Sequence, residues 1–339
     1  MQTTKFGFST GAAILCAVLL CACSATRDMQ VLVTRPAVMQ LPTEMKRLLI
    51  VDRSRGNAST ILEGILTGEL PGRDGEQSSQ CLSGLQQTLN TYPGLAVARH
   101  TERLSSARGN SAGFGTPMDW TEIGALAVRY QADALLVLEY FDTDFSVRDA
   151  IGFNSLPDVF VRGTARASSG FRLYDPVNRA ILYEKGFANT KFYQEHAPNR
   201  ALAVAKLIKG ADALNEASFV TGRNFGWRLV DHSVWEDRLM FKGKGNAARG
   251  ERFALANEWQ RSIDTWLNAY KNADDDKEKG KIAYNLALGY EVLGDLQEAK
   301  KWIVAAYIEH ENRKAFDYSA IINRRIENEG ILEARRNQP

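Results

Sequence analysis

Between Val161 and Tyr174 the sequence alternates without a break. Val161, Gly163, Ala165, Ala167, Ser169, Phe171 and Leu173 occupy one set of positions; Arg162, Thr164, Arg166, Ser168, Gly170, Arg172 and Tyr174 occupy the other. A period of two over such a length fits a β-strand with one small or apolar face and one basic, solvated face. "DPVN" follows, with Pro176 at the second position of a turn, and "RAILYEKGF" reads as the returning strand. A hairpin this long needs a sheet to join, and the preceding sequence supplies one. Leu48, Leu49, Ile50 and Val51 form an apolar run bounded by Pro42 and by the polar cluster from Asp52 to Asn57, as in a buried strand. The pattern then predicts a helix over 77–91, a break at Pro93-Gly94 and a second strand in "LAVAR". A polar loop at 105–117, a helix over 119–130 capped by Asp119 or Thr121, and a third strand in "DALLVLEYF" complete the run. The order β-α-β-α-β followed by an antiparallel hairpin implies a sheet with helices packed on it, closed by a long helical stretch at 199–230.

After Trp235 the pattern becomes purely helical. "EWQRSIDTWLNAY" and "DLQEAKKWIVAAY" match at a constant offset of 37, with 259 against 296, 262 against 299 and 269 against 306. The second unit resembles the tetratricopeptide repeat: Leu286, Ala287, Tyr290, Gly294, Ala299 and Ala306 stand at its large, small, aromatic, turn, small and small positions. Small residues let the two helices of a hairpin approach, while Tyr290 and Trp302 fill the space between neighbours. The first unit matches more weakly, through Gly250, Phe253, Ser262 and Ala269, and the loop "NADDDKEKGK" accounts for the longer period. A plain helical bundle is the alternative. Two repeats fall short of the roughly three an independent array needs, so "DYSAIINRRIEN" is expected to cap the last one. The fold class is thus α+β: an α/β sheet domain over 43–232, then an all-α, tetratricopeptide-like region over 233–339.

The first residues concern address. Lys5 precedes an uncharged apolar run from Gly11 to Ala22, the layout of a secretory signal. The run is short of the roughly 20 residues that cross a bilayer. "LCAC" resembles a bacterial lipobox, with Leu20 at −3, Ala22 at −1 and Cys23 at +1; Cys16 and Cys21 each follow a leucine where the signal peptidase of lipoproteins needs a small residue. Residues 1–22 are then a lipoprotein signal peptide, Cys23 is the lipidation site, and 23–42 form a tether. An ordinary secretory signal or a membrane anchor are the alternatives. Each buried acyl methylene adds about 0.8 kcal/mol, so the several chains this resemblance implies make a permanent anchor. Ser24 resembles the outer-membrane sorting choice; periplasmic and surface orientations both stay open. After processing, Cys23 and Cys81 remain and no internal disulfide can form. Cys81 shares a four-residue spacing with Leu85 and Leu89 and reads as a buried, inert thiol.

No activity is encoded so plainly. A net charge of +2 argues against nucleic acid as a partner. "GNSAG" spells the nucleophile-elbow pattern around Ser111, with His196 and His232 downstream, but the flanking "ERLSSAR" and "FGTPMDW" are loop-like where a strand and a helix are required. Asp142 and Asp144, two apart at the end of the third strand, sit where ligands collect in open α/β sheets, and could hold a divalent cation. "ADDDKEK" lacks the spacing of a calcium loop, and the four histidines show no paired spacing. Trp227 and Trp235 read as an aromatic seam between the two regions.

The chain resembles a family of uncharacterised lipoproteins of the Bacteroidetes type, through "RPAVMQLPTEMKRLLIVDRS", "HSVWEDRLMFKGKGNAARGERFALANEWQRSIDTW" and "AYNLALGYEVLGDLQEA". Its α/β part more faintly resembles the periplasmic fold of curli-secretion lipoproteins and penicillin-binding-protein activators, with Arg179-Ala180 where those carry Gly. Neither resemblance transfers catalytic residues; the fainter one raises a pore or assembly subunit. The expectation is a non-enzymatic, cofactor-free outer-membrane lipoprotein that meets the membrane through its lipid and an envelope protein through its helical repeats. By the repeat resemblance, Lys244, Glu251, Tyr284, Asn285 and Leu288 line the docking groove. The competing expectation is a metal-binding or hydrolytic enzyme using Asp142 and Asp144.

Overall fold

The computed structural model describes residues 25–54, 74–104, 113–149, 159–207 and 210–337. The signal segment, Cys23 and Ser111 lie outside them. The chain divides into two compact units, one comprising Ala37–His232 and the other the segment up to Pro36 together with Ser233–Pro339.

The first unit is built on a five-stranded sheet of β2 (Arg47–Asp52), β3 (Ala96–Arg99), β4 (Ala134–Asp149), β5 (Val159–Asp175) and β6 (Ala180–Ala197), in the order β3-β2-β4-β5-β6. β2 pairs in parallel with both β3 and β4, and β4, β5 and β6 form an antiparallel meander. Leu49, Ile50 and Val51 are fully buried because helices cover both faces of the parallel part. On one face α1 (Asp74–Leu89) contributes Cys81, Leu82, Leu85 and Leu89 to a core that also takes Leu136, Leu138, Phe171 and Phe225. On the other, α2 (Trp120–Tyr130) packs Ile123 and Leu126 on Leu49, Val51, Leu135, Val137 and Tyr174. Burying one such side chain contributes about 1.5–3 kcal/mol. The Asp119 carboxylate caps α2 by accepting from the Thr121 amide at 2.8 Å.

The long helix expected over 199–230 is instead two: α3 (Arg200–Lys206), which stops at Leu207, and α4 (Gly210–Gly226). α4 lies against α1 at van der Waals limits. A Cβ on Gly222 would stand 1.7 Å from the Cys81 carbonyl oxygen, and one on Gly84 2.1 Å from that of Phe219. Glycine at the crossing brings backbone onto backbone. Cys81 is inside this contact, fully buried, and burial raises its thiol pKa. The turn after β5 is held by Asp175, whose Oδ1 accepts from the amides of Val177 and Asn178.

The second unit opens with a strand where a tether was expected. β1 (Thr26–Arg35) pairs with β7 (His232–Phe241) in a two-stranded sheet. Alternation in "MQVLVTR" points Val31 and Val33 inward, and both are buried with Met240 and Phe241 among the helical side chains. The helices are α5 (Gly245–Leu255), α6 (Trp259–Lys271), α7 (Asp276–Leu293), α8 (Leu296–Ile308) and α9 (Lys314–Arg336), each packed on the next along α5–α6–α7–α8–α9. Small residues set the spacing: Ala287 and Ala299 are fully buried, and a Cβ on Gly250 would meet the Trp266 indole nitrogen at 2.3 Å. The Trp266 Nε1 instead donates to the Ala247 carbonyl at 3.0 Å. Gly294, at φ 85°, ends α7 in the left-handed region, and Asp295 starts α8 by accepting from the Glu298 amide.

Candidate functional site

The parallel strands place a crevice by topology. From β2 the chain crosses to β3 on one side and then to β4 on the other, with α1 and α2 on opposite faces. The carboxyl end of β2 and the point at Leu138 where β4 parts from it therefore flank the switch point at which open α/β sheets bind ligands. Asp52, Arg53 and Ser54 leave β2 there and are all buried. The Asp52 carboxylate accepts from the Ser54 amide at 3.0 Å, the Ser54 hydroxyl at 2.7 Å, the Ser78 hydroxyl of α1 at 2.9 Å and Arg103 Nε at 3.3 Å.

One strand over, Glu139 sits in the apolar run of β4 and is 5 % exposed. A bulge between Leu138 and Tyr140 shifts the register to β5 at this point. Tyr174 donates to Glu139 Oε1 at 2.6 Å, Arg53 Nη1 donates to Oε2 at 3.0 Å, and Arg172 Nη1 stands 3.4 Å from Oε1. Burial first, and then the bond to Glu139, push the Tyr174 phenol up to about 12. Two guanidinium nitrogens of this cluster, Arg53 Nε and Arg172 Nη1, are buried without a hydrogen-bond acceptor in the structure. Arg172 also pairs with Glu184 of β6 at 2.5 Å and lies over the Phe114 ring.

Beyond the last rung to β2, at Leu138, strand β4 runs on through Asp149 and pairs with β5. Asp142 and Asp144 thus lie mid-strand, where the sequence reading had them at a strand end. They share one face with Tyr140, Arg166 and Ser168. The Tyr140 ring lies over Gly170 and Gly186, which face each other across β5 and β6; a Cβ on either would stand within 2.5 Å of it. Small residues on β5 and β6 therefore make the floor of a groove, a cavity of about 530 Å³ lined by Tyr140, Asp142, Asp144, Arg166, Ser168, Gly186, Phe187 and Ala188. Asp144 is directly opposite Arg166, and Asp142 opposite Ser168. The groove thus offers acceptors, a cation and an aromatic edge together. Among the described residues no three His, Cys, Asp or Glu side chains gather at metal-binding distance.

The positions expected to line a helical groove sit elsewhere. Lys244 is exposed at the start of α5, but Glu251, Tyr284, Asn285 and Leu288 are all buried. The chain's own ribbon occupies the place. Asn285 Oδ1 accepts from the Phe241 amide and its Nδ2 donates to the Phe241 carbonyl, both at 2.8 Å, so that side chain pairs with β7 as another strand would. Phe241 meets Tyr284 edge to face at 5.1 Å, and Glu251 pairs with Arg27 of β1 at 3.2 Å. That docking site is corrected accordingly: Glu251, Tyr284 and Asn285 hold the unit's own strands, and Leu288 is buried in its core. Below them Glu291, fully buried, accepts from Arg238 at 2.8 Å, from Arg325 at 3.0 Å and from the Tyr318 hydroxyl. Trp227 stacks on His232 at 5.2 Å, and Trp235 is 62 % exposed rather than sealed in a seam.

The sequence reading missed Glu139, Arg53 and Arg172. Glu139 left a signal: one charge inside an eight-residue stretch, 134–141, that otherwise reads as buried strand.

A family model described as Domain of unknown function (DUF8603) matches residues 45–241, and a second, Domain of unknown function (DUF6340), matches 248–326. No curated protein matches the sequence. Among solved structures, the PelC dodecamer from Paraburkholderia phytofirmans is 13% identical, covering 61% of this chain and 100% of that one at a TM-score of 0.26. A minor lipoprotein from Acinetobacter baumannii is 10% identical, over 55% and 89% of the two chains, at 0.23. A lipoprotein from Neisseria meningitidis is 14% identical, over 47% and 90%, at 0.14. Scores this low carry no argument about fold or function. No described helix is long and apolar enough to cross a membrane.

Proposed function

The chain belongs to the family described as Domain of unknown function (DUF8603), and we propose that this member is a lipid-anchored envelope protein that docks other proteins on the open face of its sheet, by binding rather than catalysis. The observation that carries the reading is the groove on β4–β6, with Asp144, Arg166, Gly186 and Ala188 exposed along it. A meander whose face is small, polar and of mixed charge suits a polypeptide surface, where donors and acceptors alternate. The C-terminal helices take a supporting role in this proposal, because Glu251, Tyr284 and Asn285 already contact β1 and β7.

Anchorage follows from the lipobox-like "LCAC" and Cys23, and Ser24 favours the outer membrane. The test is made in cells. A photo-crosslinking residue at Asp144 should yield an adduct with an envelope protein, and the same residue at the exposed Glu327 of α9 should not. Replacing Cys23 with Ser should move the chain out of the membrane fraction. Adducts of equal yield from both positions, or from neither, would remove the docking reading; membrane retention of the serine variant would remove the anchor.

A further inference from the structure

We propose that the sheet's outer strand joins a second copy of this chain, β6 against β6 in antiparallel register with Thr190 on the two-fold axis. The inference deepens the docking reading above and rests on it, since the edge borders the same groove. β6 ends the sheet order, and its side chains from Ile181 to His196 are exposed or half-buried. An edge strand of this length presents a row of outward-pointing amides and carbonyls, which natural proteins pair, cover or blunt. β6 contains no proline and the groove-floor residue Gly186.

The sequence of β6 is self-complementary in one register. With Thr190 opposite itself, Lys185 faces the second copy's Glu195, Phe187 faces Tyr193, Ala188 faces Phe192 and Asn189 faces Lys191, each pair occurring twice by symmetry. Slipping one strand by two residues leaves Lys185 and Glu195 each opposite a tyrosine in one direction and sets Lys191 against itself in the other; slipping by four in the first direction sets Lys185 against Lys191. Within a slip of four residues either way, only the Thr190-centred pairing makes ion pairs; the register centred on Tyr193 sets Lys191 opposite Glu195, but it shortens the pairing to 189–197 and uses a lysine that already pairs with Glu216. Neither Lys185 nor Glu195 has an ion-pair partner among the described residues, so both are available. Phe192 is 63 % exposed, an unusual position for phenylalanine, and this register lays it over Ala188 at the rim of the other copy's groove. Anchorage in one leaflet raises the effective concentration of the copies, so an edge contact of modest affinity suffices.

Single cysteines at Ala188, Asn189, Thr190, Lys191 and Phe192 in the full chain, oxidised in intact membranes, test the register. Residues facing each other across an antiparallel pair have Cα atoms about 4.5–5.5 Å apart, within disulfide reach, whereas the neighbours' own copies are displaced by about 7 Å along the strand. Cys81 is fully buried and Cys23 carries the lipid in the anchored form, so background thiol is low. The disulfide-linked dimer should peak at Thr190→Cys. Lys185→Glu in that background should lower its yield roughly tenfold, by replacing two attractions with two repulsions. Adding Glu195→Lys should restore it. Absence of dimer at all five positions, a maximum elsewhere, or failure of the double charge swap to rescue overturns the proposal. A crosslink from Asp144 to a different protein would survive that failure, so the two readings fall separately.

Discussion

Each unit buries one glutamate between two arginines and a tyrosine, and the two clusters differ in how completely they are closed. Glu291 in the helical unit receives Arg238, Arg325 and Tyr318, and the guanidinium nitrogens of those arginines are absent from the unpaired buried atoms. Burial works to lower the Arg238 pKa, but its bonds to Glu291 and Glu236 outweigh that and raise it. Glu139 in the sheet unit receives Arg53 and Tyr174 but leaves Arg53 Nε and Arg172 Nη1 without acceptors, at the carboxyl ends of the strands. A buried charge is held by completing its shell, and an incomplete shell costs free energy that a structural core has no reason to spend. The glutamate of the helical unit is therefore the more completely bonded of the two, and it braces Arg238 of β7 against α7 and α9.

The contrast can be broken at its strongest point first. Glu291→Ala strands Arg238 in the core and should cost about 3–5 kcal/mol, read as lost hydrogen-exchange protection across 276–336. A loss below 1 kcal/mol would mean that the cluster does not hold the helices. Asn285→Ala comes next. It leaves the Phe241 amide and carbonyl unpaired, at about 1–3 kcal/mol for an abandoned buried group, and should release β7 before the helices, seen as early exchange over 232–241. If exchange there stays as slow as in α7, the ribbon is held by Val31, Val33 and Met240 alone.

Legibility followed the same division. Period two from Val161 to Leu173 and the apolar block Leu48–Val51 dictated the sheet, because side-chain burial alternates with position; the structure buries the odd residues from Val161 on, but from Gly170 on it also buries the face expected to be basic and solvated, Arg172 and Tyr174 included. Asp119 was legible as a cap for the same local reason. The tether was misread because β1 is stabilised by residues more than 190 positions away, Thr34 meeting Ser233 and Arg35 meeting Glu236, and no local pattern announces such a partner. The repeat-like spacing located Ala287 and Ala299 correctly inside the helical packing, yet it could not say that Tyr284 and Asn285 would be covered by the unit's own strand. Asp142 and Asp144 were found together on one groove, but the bulge that reorients β4 and the Arg166 that faces Asp144 are facts of cross-strand register.

The smaller effects probe the sheet unit. Asp133 is held below the ordinary carboxylate range by Arg47's side chain first, and by the amides of Arg47 and Lys46. Its folded-state pKa is depressed, so its contribution is present above the unfolded carboxylate value and lost as pH falls through the lower folded one. Asp133→Asn should therefore cost about 0.5–1 kcal/mol at neutral pH, as expected for a partly exposed pair, and the gap to the unaltered chain should close in acid-unfolding curves below the usual carboxylate range. A gap independent of pH would assign the loss to packing.

The smallest expected effect is zero, and it decides between the two readings of the groove. Ca²⁺ takes 6–8 oxygen ligands, while Asp142 and Asp144 supply carboxylates from two positions only, and Arg166 stands opposite Asp144 as a competing cation. A dication there would sit beside a residue of like charge, one rung across the sheet. Calorimetric titration of the full chain with millimolar Ca²⁺ or Mg²⁺ should release no heat beyond dilution, and Arg166→Ala should be the variant that gains any metal affinity at all. Heat in the unaltered chain that disappears on Asp142→Asn would instead make the groove a metal centre, and the mixed charge of its floor would then need another explanation than a protein surface laid across it.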